Sequence, residues 1–164
     1  MDLTLIVNGR QVTASIEPQE LLLDFLRERL RLTGAKRSCD VQVCGTCTVL
    51  VDGLPVSACT FLAVDAAGRE VLTVEGFAEM PEFERFEAAF MRHAALQCGY
   101  CTPGLLLTLK SLVDHGELDG EEAIRHGLDG NLCRCTGYRS ILDAAREVAG
   151  VTTGERGEAG EVRA

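Results

Sequence analysis

Residues 38–59 read SCDVQVCGTCTVLVDGLPVSAC and hold four cysteines with four, two and eleven residues between successive thiols. A C-x4-C-x2-C run followed by a more distant cysteine is the plant-type spacing in which four thiolates hold a [2Fe–2S] cluster. Cys39, Cys44 and Cys47 share one loop, and Cys59 comes from the hairpin that follows. A loop that curls around a compact anionic core has to turn backbone N–H groups towards the sulfurs, and Gly45 beside Cys44 allows that close approach. Structural zinc sites use two knuckles of closely spaced ligands, whereas this stretch has one, so zinc is the weaker reading.

The segments on either side of the loop set its architecture. In LTLIVNGRQVTASI (3–16), Leu3, Leu5 and Val7 alternate with Thr4, Ile6 and Asn8, and Asn8-Gly9 is a two-residue turn suited to positive φ. PQELLLDFLRERLRLTG (18–34) spaces Leu21, Leu22, Phe25, Leu26 and Leu30 as an amphipathic helix, with Gly34 placed to end it. After the cysteine loop, Asp52-Gly53 marks a second hairpin and REVLTVEG (69–76) one more strand. Hairpin, helix, hairpin and final strand describe a β-grasp arrangement.

From about residue 77 the apolar period becomes helical. PEFERFEAAFMRHAAL (81–96) carries Phe83, Phe86 and Phe90 on one face. TPGLLLTLKSLVDHG (102–116) offers Thr102 as N-cap and Pro103 at the first helical position. DGEEAIRHGLDG (119–130) has Asp119 and Glu122 in capping-box spacing, and TGYRSILDAAREVAG (136–150) repeats Ile141, Leu142, Ala145 and Val148 before Gly150. The expected division is a sheet unit over 1–76, a four-helix unit over 77–150 and a disordered or docking tail over 151–164. The fold class is therefore α+β.

A second cysteine group, Cys98-x2-Cys101 and Cys133-x-Cys135, lies in the helical half. By spacing alone it suits zinc as well as a cluster. Each pair falls at a helix start, where the macrodipole favours anionic thiolates, so two helix–loop corners could meet around one cluster. His93, His115 and His126 lie on polar helix positions outside any ligand spacing and are expected to be surface residues. The acidic set Glu82, Glu84 and Glu87 reads as the wet face of a helix. No dinucleotide, P-loop or nucleophile-elbow motif is present, so nothing points to substrate chemistry by this chain alone.

With 25 acidic against 16 basic residues and a net charge of −9, the chain would repel a phosphate backbone, and nucleic acid is not an expected partner. No run approaches the roughly 20 apolar residues of a membrane span, and no basic-then-apolar leader opens the sequence. A cytoplasmic location is expected. In that reducing compartment eight cysteines suggest metal binding or catalysis rather than disulfides.

CDVQVCGTCTVLVDG (39–53), LQCGYCTPG (96–104) and GNLCRCTGYRSI (130–141) in one chain of this length resemble the small iron–sulfur subunit of the molybdenum hydroxylases. That family includes xanthine and aldehyde oxidoreductases, carbon monoxide dehydrogenases and hydroxylases of N-heterocycles. The resemblance, over residues 3–149, implies a ferredoxin-like β-grasp domain followed by a four-helix domain, each with one [2Fe–2S] cluster. It implies that Cys39, Cys44, Cys47 and Cys59 bind one cluster and Cys98, Cys101, Cys133 and Cys135 the other. It further implies a large partner subunit with molybdopterin, often as a cytosine dinucleotide, and a medium partner subunit with FAD, in a heterotrimer or a dimer of heterotrimers. Electrons would pass from molybdenum through the helical-domain cluster and the ferredoxin-like cluster to FAD. Gln97 and Cys135 match positions that lie beside the pterin in the family, or that simply pack around the cluster.

Many relatives have glycines in and around the first loop, where this chain has Ser38, Asp40, Val41, Gln42 and Val43. Asp40, if it lies near the cluster, is expected to lower its potential. Phe77, Met80 and the leucine-rich segment from Gly104 offer apolar surface for a partner, although an internal core is the commoner fate of such stripes. A stand-alone two-cluster ferredoxin or redox sensor and a zinc-stapled binding module are the competing functions.

Overall fold

The first hairpin forms because its turn residues accept left-handed backbone. Asn8 and Gly9 take φ of 50° and 74°, joining β1 (Asp2–Val7) to β2 (Arg10–Ser15) with Leu5 opposite Val12. Leu3, Leu5 and Val7 are buried while the residues between them face out. Asp52 and Gly53 repeat the device at φ 50° and 82°, joining β3 (Thr48–Val51) to β4 (Leu54–Ser57). β5 (Glu70–Leu72) lies between the hairpins, parallel to β1 and antiparallel to β3. The strand order is β2-β1-β5-β3-β4, a five-stranded mixed sheet. The structure, a computed structural model, describes residues 1–151. The expected tail lies outside the described residues, except for Val151.

The helix between β2 and β3 differs from the sequence expectation. It begins as α1 (Leu22–Asp24) and widens into a π-helical turn over Phe25–Arg29. The chain leaves it at Arg31, with φ 59°, rather than at Gly34. Arg27 accounts for the early exit, because its guanidinium donates to Thr33 O at 2.9 Å and Ala35 O at 2.7 Å, folding the following residues back over the turn. Four apolar side chains, Leu22, Leu23, Phe25 and Leu26, are fully buried against the sheet.

A short helix, α2 (Val74–Ala78), follows β5 directly, and Gly76 lies within it. The four expected helices come next: α3 (Phe83–Arg92), α4 (Thr102–Asp114), α5 (Glu121–Leu128) and α6 (Arg139–Ala149). Two of their caps depart from expectation. Thr102 is the first helical residue with Cys101 at the N-cap, and the Thr102 hydroxyl is buried without a partner. α5 starts from Gly120 without a side-chain cap, so Asp119 and Glu122 close no capping box. α6 ends as expected, at Gly150 with φ 68°.

All four residues of β3 are buried because both faces of the sheet are covered at this strand. Its alternation sends Val49 and Val51 into the core beneath α1 and Leu50 into the core of the helices. β5 divides in the same way, with Val71 in the first core and Leu72 in the second. α4 therefore lies against the sheet on one side and α5 on the other, and its residues 104–111 are all buried. The stripe thus takes the commoner of its two expected fates, an internal core. Phe77 is fully buried, edge-on to Phe83 and Phe86, and the leucines of α4 pack within the chain.

Candidate metal centres

The first quartet is built by backbone curvature. Asp40 and Gln42 take φ of 54° and 59°, so the loop reverses twice and its amides converge on one sulfur. Val43 N and Cys44 N each lie 3.4 Å from Cys39 Sγ. The N–H groups of Val41, Val43 and Cys44 hold the Cys39 thiol down to about 6, as donors to a thiolate do. Cys47 is in the opposite situation: burial pushes its thiol up to about 12, with Cys59 beside it.

The second quartet lies on two corners. Gly99, Tyr100 and Cys101 lead into α4, and the turn over residues 133–138 leads into α6. The Tyr100 N–H lowers the Cys98 thiol, and Cys135 Sγ lies 3.5 Å from Cys98 Sγ. The Cys98 thiol in turn raises Cys135. Burial pushes Cys101 up to about 12, with Cys133 next to it. Burial also works to raise Cys133, but the Thr136 hydroxyl, donating to its sulfur at 3.1 Å, and the N–H groups of Thr136 and Cys135 leave it lowered.

The eight thiols thus stand in four pairs: Cys39 with Cys44, Cys47 with Cys59, Cys98 with Cys135, and Cys101 with Cys133. Two pairs per site match a two-iron core held by four thiolates. Among the described residues no three His, Cys, Asp or Glu side chains gather as a single ion would need. The raised thiols of buried Cys47 and half-buried Cys101 become ligands only when metal displaces their protons, so binding there would drive both deprotonation and local order.

The two sites are physically joined. Leu132 N donates to Cys44 O at 2.9 Å, which places Cys133 one residue from a hydrogen bond to the first loop. Beside it, Asn131 Nδ2 donates to Gly45 O at 3.2 Å and the Thr48 hydroxyl donates to the same oxygen at 2.8 Å. The approach is close enough that a Cβ on Gly104 would collide with Gly45 O, and one on Gly45 with Gly130 O. A cavity of about 490 Å³ lies at this seam, lined by Cys44, Thr46, Cys98, Cys101, Cys133 and Cys135 among others.

A model of a 2Fe-2S iron–sulfur cluster binding domain matches residues 5–72, and a model of a [2Fe-2S] binding domain matches residues 73–146. The chain is 46% identical over 144 residues to the 6-hydroxypseudooxynicotine dehydrogenase complex subunit beta of Paenarthrobacter nicotinovorans, covering 87% of this chain and 89% of that one. It is 41% identical to the aldehyde oxidoreductase iron-sulfur-binding subunit PaoA of Escherichia coli, covering 92% of this chain and 72% of that one. Its fold superimposes on a chain of quinoline 2-oxidoreductase from Pseudomonas putida with a TM-score of 0.85 and 41% identity, over 92% of this chain and 94% of that one. The chain belongs to the small iron–sulfur subunits of the molybdenum hydroxylases.

In this iron–sulfur subunit several contributors escaped sequence reasoning. Tyr138, itself in left-handed backbone at φ 70°, accepts from Cys133 N at 2.9 Å and donates to Asn131 O at 3.2 Å. Asn131 is buried, and a polar residue two positions before a cysteine was the available signal for it. Among the histidines, His126 and His115 are exposed. His93 is half-buried and pairs with Glu147 at 2.8 Å, so it clasps α3 to α6. Gln97 and Cys135 are both exposed.

Proposed function

We propose that this chain is the electron-transfer subunit of a heteromeric molybdenum hydroxylase, standing between a molybdopterin centre in a large subunit and FAD in a medium subunit. The observation that carries this is the arrangement of two paired-thiol quartets, one in each half of the fold, tied together by the Leu132–Cys44 hydrogen bond. Cys39, Cys44, Cys47 and Cys59 hold the first cluster; Cys98, Cys101, Cys133 and Cys135 hold the second. Each [2Fe–2S] cluster, when bound, takes up and releases one electron at a time.

The protein's own part is to fix the sites relative to one another and to set their electrostatics. Backbone N–H groups at Cys39 and Cys98 stabilise the thiolate form, while the burial of Cys47 and the partial burial of Cys101 favour the protonated thiol. The exposed edge formed by Gln97 and Cys135 is assigned to the molybdopterin side, with the pterin as a cytosine dinucleotide. The units are 1–76 and 77–150, the assembly is a heterotrimer or its dimer, and the location is the cytoplasm. Substrate choice then belongs to the molybdenum subunit. No helix among the described residues is long and apolar enough to cross a membrane.

The test is iron and zinc content with electron paramagnetic resonance on the dithionite-reduced, anaerobically purified chain. About four irons and two distinct [2Fe–2S] signals are expected, together with co-purification of larger molybdenum- and flavin-containing chains from the native host. Zinc with no signal, or a chain that stays monomeric with no larger partners, overturns the proposal.

A further inference from the structure

Lys36 lies on the segment that enters the first cysteine loop, yet its side chain addresses the second quartet. Its Nζ stands 5.7 Å from the ring centroid of Tyr100, the residue between Gly99 and Cys101, within cation–π range. The Tyr100 hydroxyl donates to Arg37 O at 2.6 Å, so the ring is pinned to the same segment that supplies the cation. Lys36 is fixed in turn from behind. Its N–H donates to Thr46 O at 2.9 Å, the Thr46 hydroxyl donates to Lys36 O at 3.1 Å, and Nζ donates to Gly34 O at 2.8 Å. Thr46 lines the cavity shared with all four cysteines of the second quartet. Burial lowers the Lys36 pKa and Arg27 adds to that, while Glu75 opposes it. Tyr100, over whose ring the ammonium sits, directly adjoins Cys101, so the cation lies beside the corner that carries Cys98 and Cys101.

We infer that Lys36, seated on Tyr100, is a positioning residue that raises the reduction potential of the cluster held by Cys98, Cys101, Cys133 and Cys135. Reduction adds a negative charge to the cluster. A half-buried cation at fixed distance stabilises that charge more strongly than the same cation would across bulk water. The ferredoxin-like half would thereby tune the centre in the helical half, favouring electron entry there. The inference rests on the reading that these four cysteines hold a [2Fe–2S] cluster.

A redox titration followed by electron paramagnetic resonance on the assembled protein tests it, using Lys36→Met, Lys36→Arg and Tyr100→Leu. In Lys36→Met the second cluster's reduction equilibrium is expected to weaken about threefold or more, about 28 mV at 59 mV per decade for one electron. The first cluster moves less. Lys36→Arg restores the wild-type value, and Tyr100→Leu reproduces part of the fall because the ammonium loses its seat. Should Lys36→Met lose its clusters, Lys36→Gln carries the same prediction. Two intact signals with an unmoved second potential, or an equal fall in both clusters, overturn the role of Lys36 alone. A wild-type chain without a second signal overturns the cluster reading beneath it.

Discussion

At the scale of single residues, each cysteine's surroundings predict what its loss does. Cys47→Ser removes a thiol that is buried in the sheet half and proposed as a ligand, so the first cluster's resonance should vanish while the second persists; Cys133→Ser should do the reverse. Loss of both signals from either variant would contradict the assignment of the quartets to separate sites. Asp40 bears on the first potential differently from the sequence expectation. Its carboxylate is exposed and paired with Arg37 at 2.5 Å, and the same guanidinium also pairs with Asp24. A charge so compensated and screened acts weakly. Asp40→Asn should therefore raise the first cluster's potential, but by less than Lys36→Met lowers the second. A redox titration of the two variants side by side checks the order.

At the scale of elements, the seam between the first loop and α4 leaves no room for added volume. Gly104 opens α4 directly against Gly45 O. Gly104→Ala must push the helix from the loop, with an expected loss of about 1–3 kcal/mol in chemical denaturation, typical of overpacking. The same displacement would strain the Leu132–Cys44 hydrogen bond. α3 and α6 share the helical core and are bridged in addition at its edge, where Glu147 meets both Arg92 and His93. His93 first, then Arg92, holds the Glu147 carboxyl below its ordinary 4.5. A lowered carboxylate stabilises the fold above its unfolded value, and that contribution disappears as pH falls through the folded one. Thermal melts of wild type between pH 7 and pH 3 should thus steepen below about 4.5, while Glu147→Gln shows a shallower fall. Because the pair is exposed, high salt should shrink the difference.

At the scale of the molecule, the halves are not separable around a linker. β3 and β5 each contribute to both cores, and Thr73 alone separates β5 from α2. Leu50→Ala cuts into the helical core from within the sheet, at an expected cost of about 2–5 kcal/mol. Circular dichroism bands of sheet and helix should lose stability together in that variant. Loss confined to the helical signal would show that the units unfold independently.

Much of this protein was legible from its sequence because its signals are local. The Asn8-Gly9 and Asp52-Gly53 turns depend on the backbone freedom of two adjacent residues, and the cysteine spacing depends on the reach of one loop, so each could be read within a few positions. The four main helices followed from apolar period for the same reason. Tertiary structure alone decided the rest. The exit at Arg31 is set by an arginine folding back onto later carbonyls, and the fate of α4's leucines by a sheet face that precedes them by some 50 residues. The pairing of thiols across the 31 residues between Cys101 and Cys133, the Asn131–Gly45 contact and the seat of Lys36 on Tyr100 join residues far apart in the chain. Local sequence carries no record of such distances, because packing free energy is shared among whichever surfaces the completed fold brings together.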